Sequence, residues 1–142
     1  MRPPLGPALA IVAVAGLASC GGDGVLETDT GPPPTSTPTL SMLQASIFTP
    51  RCAVPTCHLA PFPQQGMELI EGMTYGYVVN VDSNELPAFK RVAPGHSADS
   101  YLFMKISGDP RLVGERMPMG GILSDPDIEA IRQWIDAGAK DD

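Results

Sequence analysis

Basic residues are scarce in this chain: 9 Lys and Arg against 16 Asp and Glu give a formal charge of −7 over 142 residues. So acidic a surface offers no stripe of positive charge to a phosphate backbone, which excludes nucleic acid as a partner. Histidine is scarcer still, at 2, with 3 Cys and 1 Trp. There is no Gly-rich phosphate loop, no internal repeat and no run of alternating apolar and polar residues. The last absence excludes a half-buried sheet. No Ser-His-acid set, paired-carboxylate motif or metal cluster stands out, so the chain gives no enzyme signature. Aromatic residues make up only 6% of a chain that is 43% hydrophobic. Its length fits one domain at most.

The first residues read as a targeting segment. Arg2 is a weak positive start, Ala8 to Gly16 is a short apolar run, and Leu17-Ala18-Ser19-Cys20 follows. The run is too short for a permanent membrane helix. Small residues before a cysteine resemble a bacterial lipoprotein signal, residues 1–19, with cleavage before Cys20 and lipid on its sulfur. The other reading is an ordinary secretory signal, which leaves an exposed free thiol. Lipid on Cys20 implies a membrane-anchored protein, not a spanning one. Gly21 after Cys20, where an Asp is absent, points to the outer membrane. Loss of Arg2 with the signal leaves the mature chain one charge more acidic. That charge suits a basic redox partner, or simply solubility.

Residues 20–38 form a linker, with Gly31-Pro32-Pro33-Pro34-Thr35-Ser36-Thr37-Pro38 at its end. Pro, Thr and Ser at this density bury no core and keep the chain extended. The folded part is expected over residues 39–142. Leu40, Leu43, Ile47 and Phe48 recur at helical spacing. Either Ser41, in a capping box with Gln44, or Thr39 starts that helix, and Pro50 is expected to end it. A second short helix is expected over Met73 to Val79. A third runs from near Ser97 through Tyr101, Leu102 and Ile106 to Gly108. The last starts at Ser124, with Pro126 in its first turn, a stripe of Ile128, Ile131 and Ile135 beside Trp134, and Gly138 as its stop. The fold class is all-α, with loops rich in Gly and Pro.

One segment carries chemistry: Cys52-Ala53-Val54-Pro55-Thr56-Cys57-His58. The C-x-x-C-H run marks covalent haem attachment, in which two sulfurs form thioethers with the porphyrin and the histidine binds iron. Here the order is kept but the gap is two residues longer. A continuous helix would rise about 7.5 Å over five positions and rotate the sulfurs apart. Pro55 breaks such a helix and lets Val54-Pro55-Thr56 pucker outwards. The pucker serves two thioethers or a Cys52–Cys57 disulfide equally well. A disulfide has no use for the adjacent His58, whereas a haem site requires it. Zinc lacks a clear fourth ligand, with His96 in a polar Gly-His-Ser turn.

A haem iron needs a sixth ligand, and a methionine sulfur raises its reduction potential. Met42, Met73 and Met104 fall in expected helices, where core packing is the simpler role. Met67 follows Gly66 and could pack anywhere. Met117 lies in Arg116-Met117-Pro118-Met119-Gly120-Gly121, which has no helical period and has glycines that allow a flat ligand close. Met117 is preferred to Met119, and either to His96.

With these residues in view, the chain resembles bacterial monohaem c-type cytochromes, in particular lipoprotein versions with a C-x4-C-H site. The matching stretches are Ile47 to His58, Val79-Asn80-Val81, Arg91 to Gly95 and Ser100-Tyr101-Leu102. Further on come Lys105-Ile106, Met117-Pro118 with Gly120-Gly121, and Ile131 to Ile135 before Gly138-Ala139. The resemblance implies one haem c held by Cys52 and Cys57, with His58 as proximal and Met117 as distal ligand. It implies a helical cytochrome c domain whose first and last helices cross, with Phe48 and Trp134 near the crossing. Arg91 could pair with a haem propionate or stand solvated at the surface. The expected role is a periplasm-facing, lipid-anchored, monomeric electron carrier that meets a redox partner protein and is not an enzyme. The alternative is a haem-free surface lipoprotein, a binding or structural module closed by a Cys52–Cys57 disulfide.

Overall fold

The computed structural model describes residues 36–142. The expected signal peptide, Cys20 and the linker as far as residue 35 lie outside the described residues. Within them the chain is helical, with no strand of its own. Three isolated bridges, Val79 with Val92, Asp82 with Lys90 and Lys90 with Ser100, tie the middle of the chain together.

Helix α1 (Leu40–Leu43) begins at Thr39, whose hydroxyl accepts from the Met42 N–H at 3.2 Å. The alternative capping box does not form. Ser41 hydrogen-bonds the Thr39 hydroxyl, and Gln44 turns inward. Its amide donates to Leu69 O at 2.8 Å and its carbonyl oxygen accepts from Thr74 Oγ1 at 2.6 Å, a fully paired polar bridge within the core. Asp142 supplies the remaining start of α1, its carboxylate accepting from Leu40 N–H and its carbonyl from Ser41 N–H, both at 2.9 Å. A carboxylate there suits the positive end of the helix.

Pro50 does not end this helix. The chain continues as a π-helix, Gln44–Cys52, with Pro50 inside it. The wider turn moves the hydrogen bond to i−5, as in Ala53 N–H to Phe48 O at 2.7 Å. Widening gives the proline ring room that an α-turn denies it.

Helix α2 is Thr74–Val78. The expected third helix divides into a 3₁₀ turn, Ser97–Asp99, and α3, Tyr101–Ser107. Ser100 separates them. Its fully buried hydroxyl accepts from Ala93 N–H at 2.9 Å and bonds His96 O at 2.9 Å, which holds its backbone extended. Gly108 ends α3 at φ 79°. Helix α4, Asp125–Asp136, begins at Ser124, whose hydroxyl accepts from Asp127 N–H, and Pro126 sits in its first turn.

The core is one cluster in which α1 packs against α4 and α4 against α3. Phe48, Val78, Val92, Ile131, Trp134, Ile135 and Ala139 are its most deeply buried members. Trp134 stays polar-satisfied there by donating to Lys140 O at 2.9 Å.

Candidate functional site: a cavity lined by the Cys-His segment and Met117

The long Cys-to-Cys gap is a closed turn. Cys57 N–H donates to Val54 O at 3.0 Å, with Pro55 at the first central position and Thr56 at the second. Thr56 has φ 68°, the positive value that a type II turn demands after its proline. His58 N–H then returns to Cys52 O at 3.2 Å. The two extra residues are therefore taken up in a turn, and His58 comes back to the end of the π-helix. Pro55 thus breaks helical geometry between the two cysteines, as expected from its position in the sequence. Cys52 and Cys57 are both half-buried free thiols. Burial pushes the Cys52 thiol up to about 11, with Arg51 partly opposing.

His58 is half-buried and oriented. Its Nδ1 lies 3.0 Å from Met67 O. A carbonyl oxygen only accepts, so Nδ1 carries the proton and Nε2 of the neutral ring keeps its lone pair. The contact fixes the orientation of the ring, as such contacts do for imidazoles that bind metals. Burial lowers the His58 pKa from its ordinary value, with the Arg91 charge acting in the same sense against the Met67 and Gln64 carbonyls. The ring is thus a neutral base near pH 7.

All of these side chains face one cavity of about 820 Å³, the size of small-molecule and cofactor sites. Cys52, Cys57 and His58 line it from the turn, Met117 and Met119 from the loop before α4, and Phe48, Leu102, Ile106, Leu123 and Ile131 from the core. The two methionines differ. Met117 is half-buried against the core cluster, and its N–H donates to Lys105 O at 2.8 Å. Met119 is 65% exposed at the rim. His96 is exposed and lines no part of the cavity. Of the three methionines expected to pack in the core, only Met104 does. Met42 lies on the outer side of α1 and Met73 precedes α2, and both are exposed.

Arg91 is buried at 7% exposure, not solvated. Its guanidinium donates to Tyr77 O at 2.8 Å and Gln65 O at 2.7 Å and faces the cavity. Among the described residues no carboxylate pairs with it. A buried cation aimed into a cavity favours an anionic group there.

Sequence reasoning missed Lys105 and Glu85, which line the same cavity 3.1 Å apart. The signal was available, since Lys105 stands four residues after Tyr101 on the apolar face of α3. Among the described residues, no three His, Cys, Asp or Glu side chains gather as a metal-holding cluster, and no helix is long and apolar enough to cross a membrane.

Comparison with protein-family models, with curated proteins and with solved structures finds no match to the chain.

Proposed function

We propose that this chain is a single-electron carrier with one covalently held haem c. The observation that supports this most directly is that Cys52, Cys57 and His58, from one short segment, line a single cavity of cofactor size together with Met117, which is remote in sequence. The donor set fits the group. Two thiols are available for thioethers, His58 presents a free Nε2, and Met117 offers a soft sulfur from a separate loop. Arg91 is placed to meet a propionate carboxylate, and the apolar wall formed by Phe48, Leu102, Leu123 and Ile131 excludes water. Bound there, haem iron supplies one-electron exchange between its ferrous and ferric states. His58 and Met117 would both hold the iron, which would leave no position for a substrate and make the role transfer rather than catalysis. On this reading the scaffold is a small cytochrome c domain of the C-x4-C-H type.

The same proposal places the domain outside the cytoplasm, tethered by lipid on Cys20 to the outer membrane and facing the periplasm, where it meets a redox partner protein. The test is the visible spectrum of the full chain exported from cells that carry haem-attachment machinery. A Soret band that survives denaturation and acid extraction is expected, since the attachment is covalent. A protein with no Soret band and an intact Cys52–Cys57 disulfide by mass is the haem-free module instead.

A further inference from the structure

Lys105 is buried on the cavity side of α3, its side chain only 9% exposed. Burial of an ammonium group is costly unless it is paired and hydrogen-bonded. Here it is both. Nζ lies 3.1 Å from Glu85 Oε2 and donates to Val113 O at 2.8 Å. One helical turn earlier, the Tyr101 hydroxyl accepts from Val113 N–H at 3.0 Å. Both main-chain polar groups of Val113 are therefore held by α3 side chains. The Val113 side chain is exposed and gives the loop no apolar anchor.

From Val113 the loop runs four residues to Met117. Arg116 Nε donates to Ile106 O at 2.8 Å, and Met117 N–H donates to Lys105 O at 2.8 Å. Lys105 thus grips this span twice, by its ammonium at Val113 and by its own carbonyl at Met117. A leucine or methionine could pack at position 105 without the desolvation cost, but neither could reach the Val113 carbonyl.

We propose that Lys105, with its charge balanced by Glu85, is the positioning residue for Met117, fixing the Val113–Met117 span so that the thioether stays at the cavity. The role as ligand support rests on the haem reading above. The clamp on the loop does not.

The test compares the full exported chain with its Lys105→Met variant, which keeps the apolar stem and removes the donor. Two readouts are taken: imidazole binding to the iron, and hydrogen exchange at the Val113 amide. A loosened loop yields Met117 more readily, so imidazole should bind roughly tenfold more tightly, and Val113 should exchange roughly tenfold faster, about the factor one charge-assisted hydrogen bond carries. Lys105→Arg should restore both. If Lys105→Met does not fold, Glu85→Gln, which keeps the Lys105 donor but removes its counter-charge, should move both readouts in the same direction. Unchanged imidazole binding and unchanged exchange in the variant that folds overturn the proposal. If the parent protein shows no Soret band, the haem reading fails, and Val113 exchange alone decides the clamp, an unchanged rate overturning it.

Discussion

Thr56 is a β-branched residue at φ 68°, in the middle of the turn that makes the long Cys-to-Cys gap possible. An L-residue in the left-handed region carries roughly 1–2 kcal/mol of steric strain, and a β-branched side chain adapts to it badly. Replacing Thr56 with Gly removes that strain. It also frees the unfolded chain, which gives back about 0.4–1 kcal/mol. Little else is lost, because the threonine side chain is exposed and makes no hydrogen bond among the described residues. The net expectation is that Thr56→Gly stabilises the domain by about 0.5–1 kcal/mol, a rise in Tm of about 2–8 °C for a domain of this size. Pro55→Ala acts on the same turn with the opposite sign. It loosens a φ that proline holds in place and should cost about 0.4–1 kcal/mol. Urea unfolding followed by far-UV circular dichroism gives both values. Equal or lower stability for Thr56→Gly refutes the turn, since glycine gains nothing at a position with negative φ.

If the chain carries the proposed haem, Met117→Ala should lower its reduction potential and open the iron to added imidazole, while Met119→Ala, at the exposed rim, should leave both within error; spectroelectrochemistry decides, and the reverse pattern makes Met119 the ligand. In haem-free chain, Cys52 should react with iodoacetamide at pH 8 about a hundredfold more slowly than a thiol at the ordinary value of 9.0, because burial holds it at about 11. Its rate should climb about tenfold per pH unit up to that point; a rate at pH 8 equal to that of a peptide thiol sinks the half-buried placement of Cys52. The Arg132 guanidinium, which donates two hydrogen bonds, and Gln133, which adds a third, hold the Glu129 carboxyl at about 2 against an ordinary 4.5. A depressed carboxyl stabilises the fold above its unfolded value and loses that contribution as pH falls through its folded value. Glu129→Gln should therefore unfold more easily than the parent at pH 7, with the gap closing between about pH 4.5 and pH 2; a gap independent of pH counts against the ion pair.

The helices are legible where the local signals agree. The Ser124 cap, Pro126 in the first turn and the isoleucine stripe all describe α4, and α4 forms where they put it. Pro50 was misread because the rule against internal proline assumes an α-turn, and the chain answers with a π-turn that no local propensity announces. Gln44 was misread for a related reason. Its spacing from Ser41 fits a cap, but its true partners, Leu69 and Thr74, are distant in sequence and known only once the core closes. The site shows the same division. Cys52, Cys57 and His58 advertise themselves by adjacency, and Met117 by a loop with no packing period. Arg91 showed only a charge in sequence, and its burial appears only in three dimensions.

The π-helix and the turn belong to one argument about the gap. A standard α-turn through Pro50 would end the first helix before Cys52 and leave that thiol on a free strand. The wider π-turn continues the rigid element to Cys52 itself, and the hydrogen bond from His58 N–H to Cys52 O closes the segment immediately after. Between these two fixed points the extra residues have no freedom to spread, because Pro55 sets one dihedral and the positive φ of Thr56 the next. The longer spacing therefore need not mean a looser site. Two unusual local conformations, one on each side of Cys52, fix the course of the C-x4-C-H segment. Strain of this kind persists only where the surroundings over-determine it, and here the strained residue, Thr56, itself lines the cavity with Cys52, Cys57 and His58.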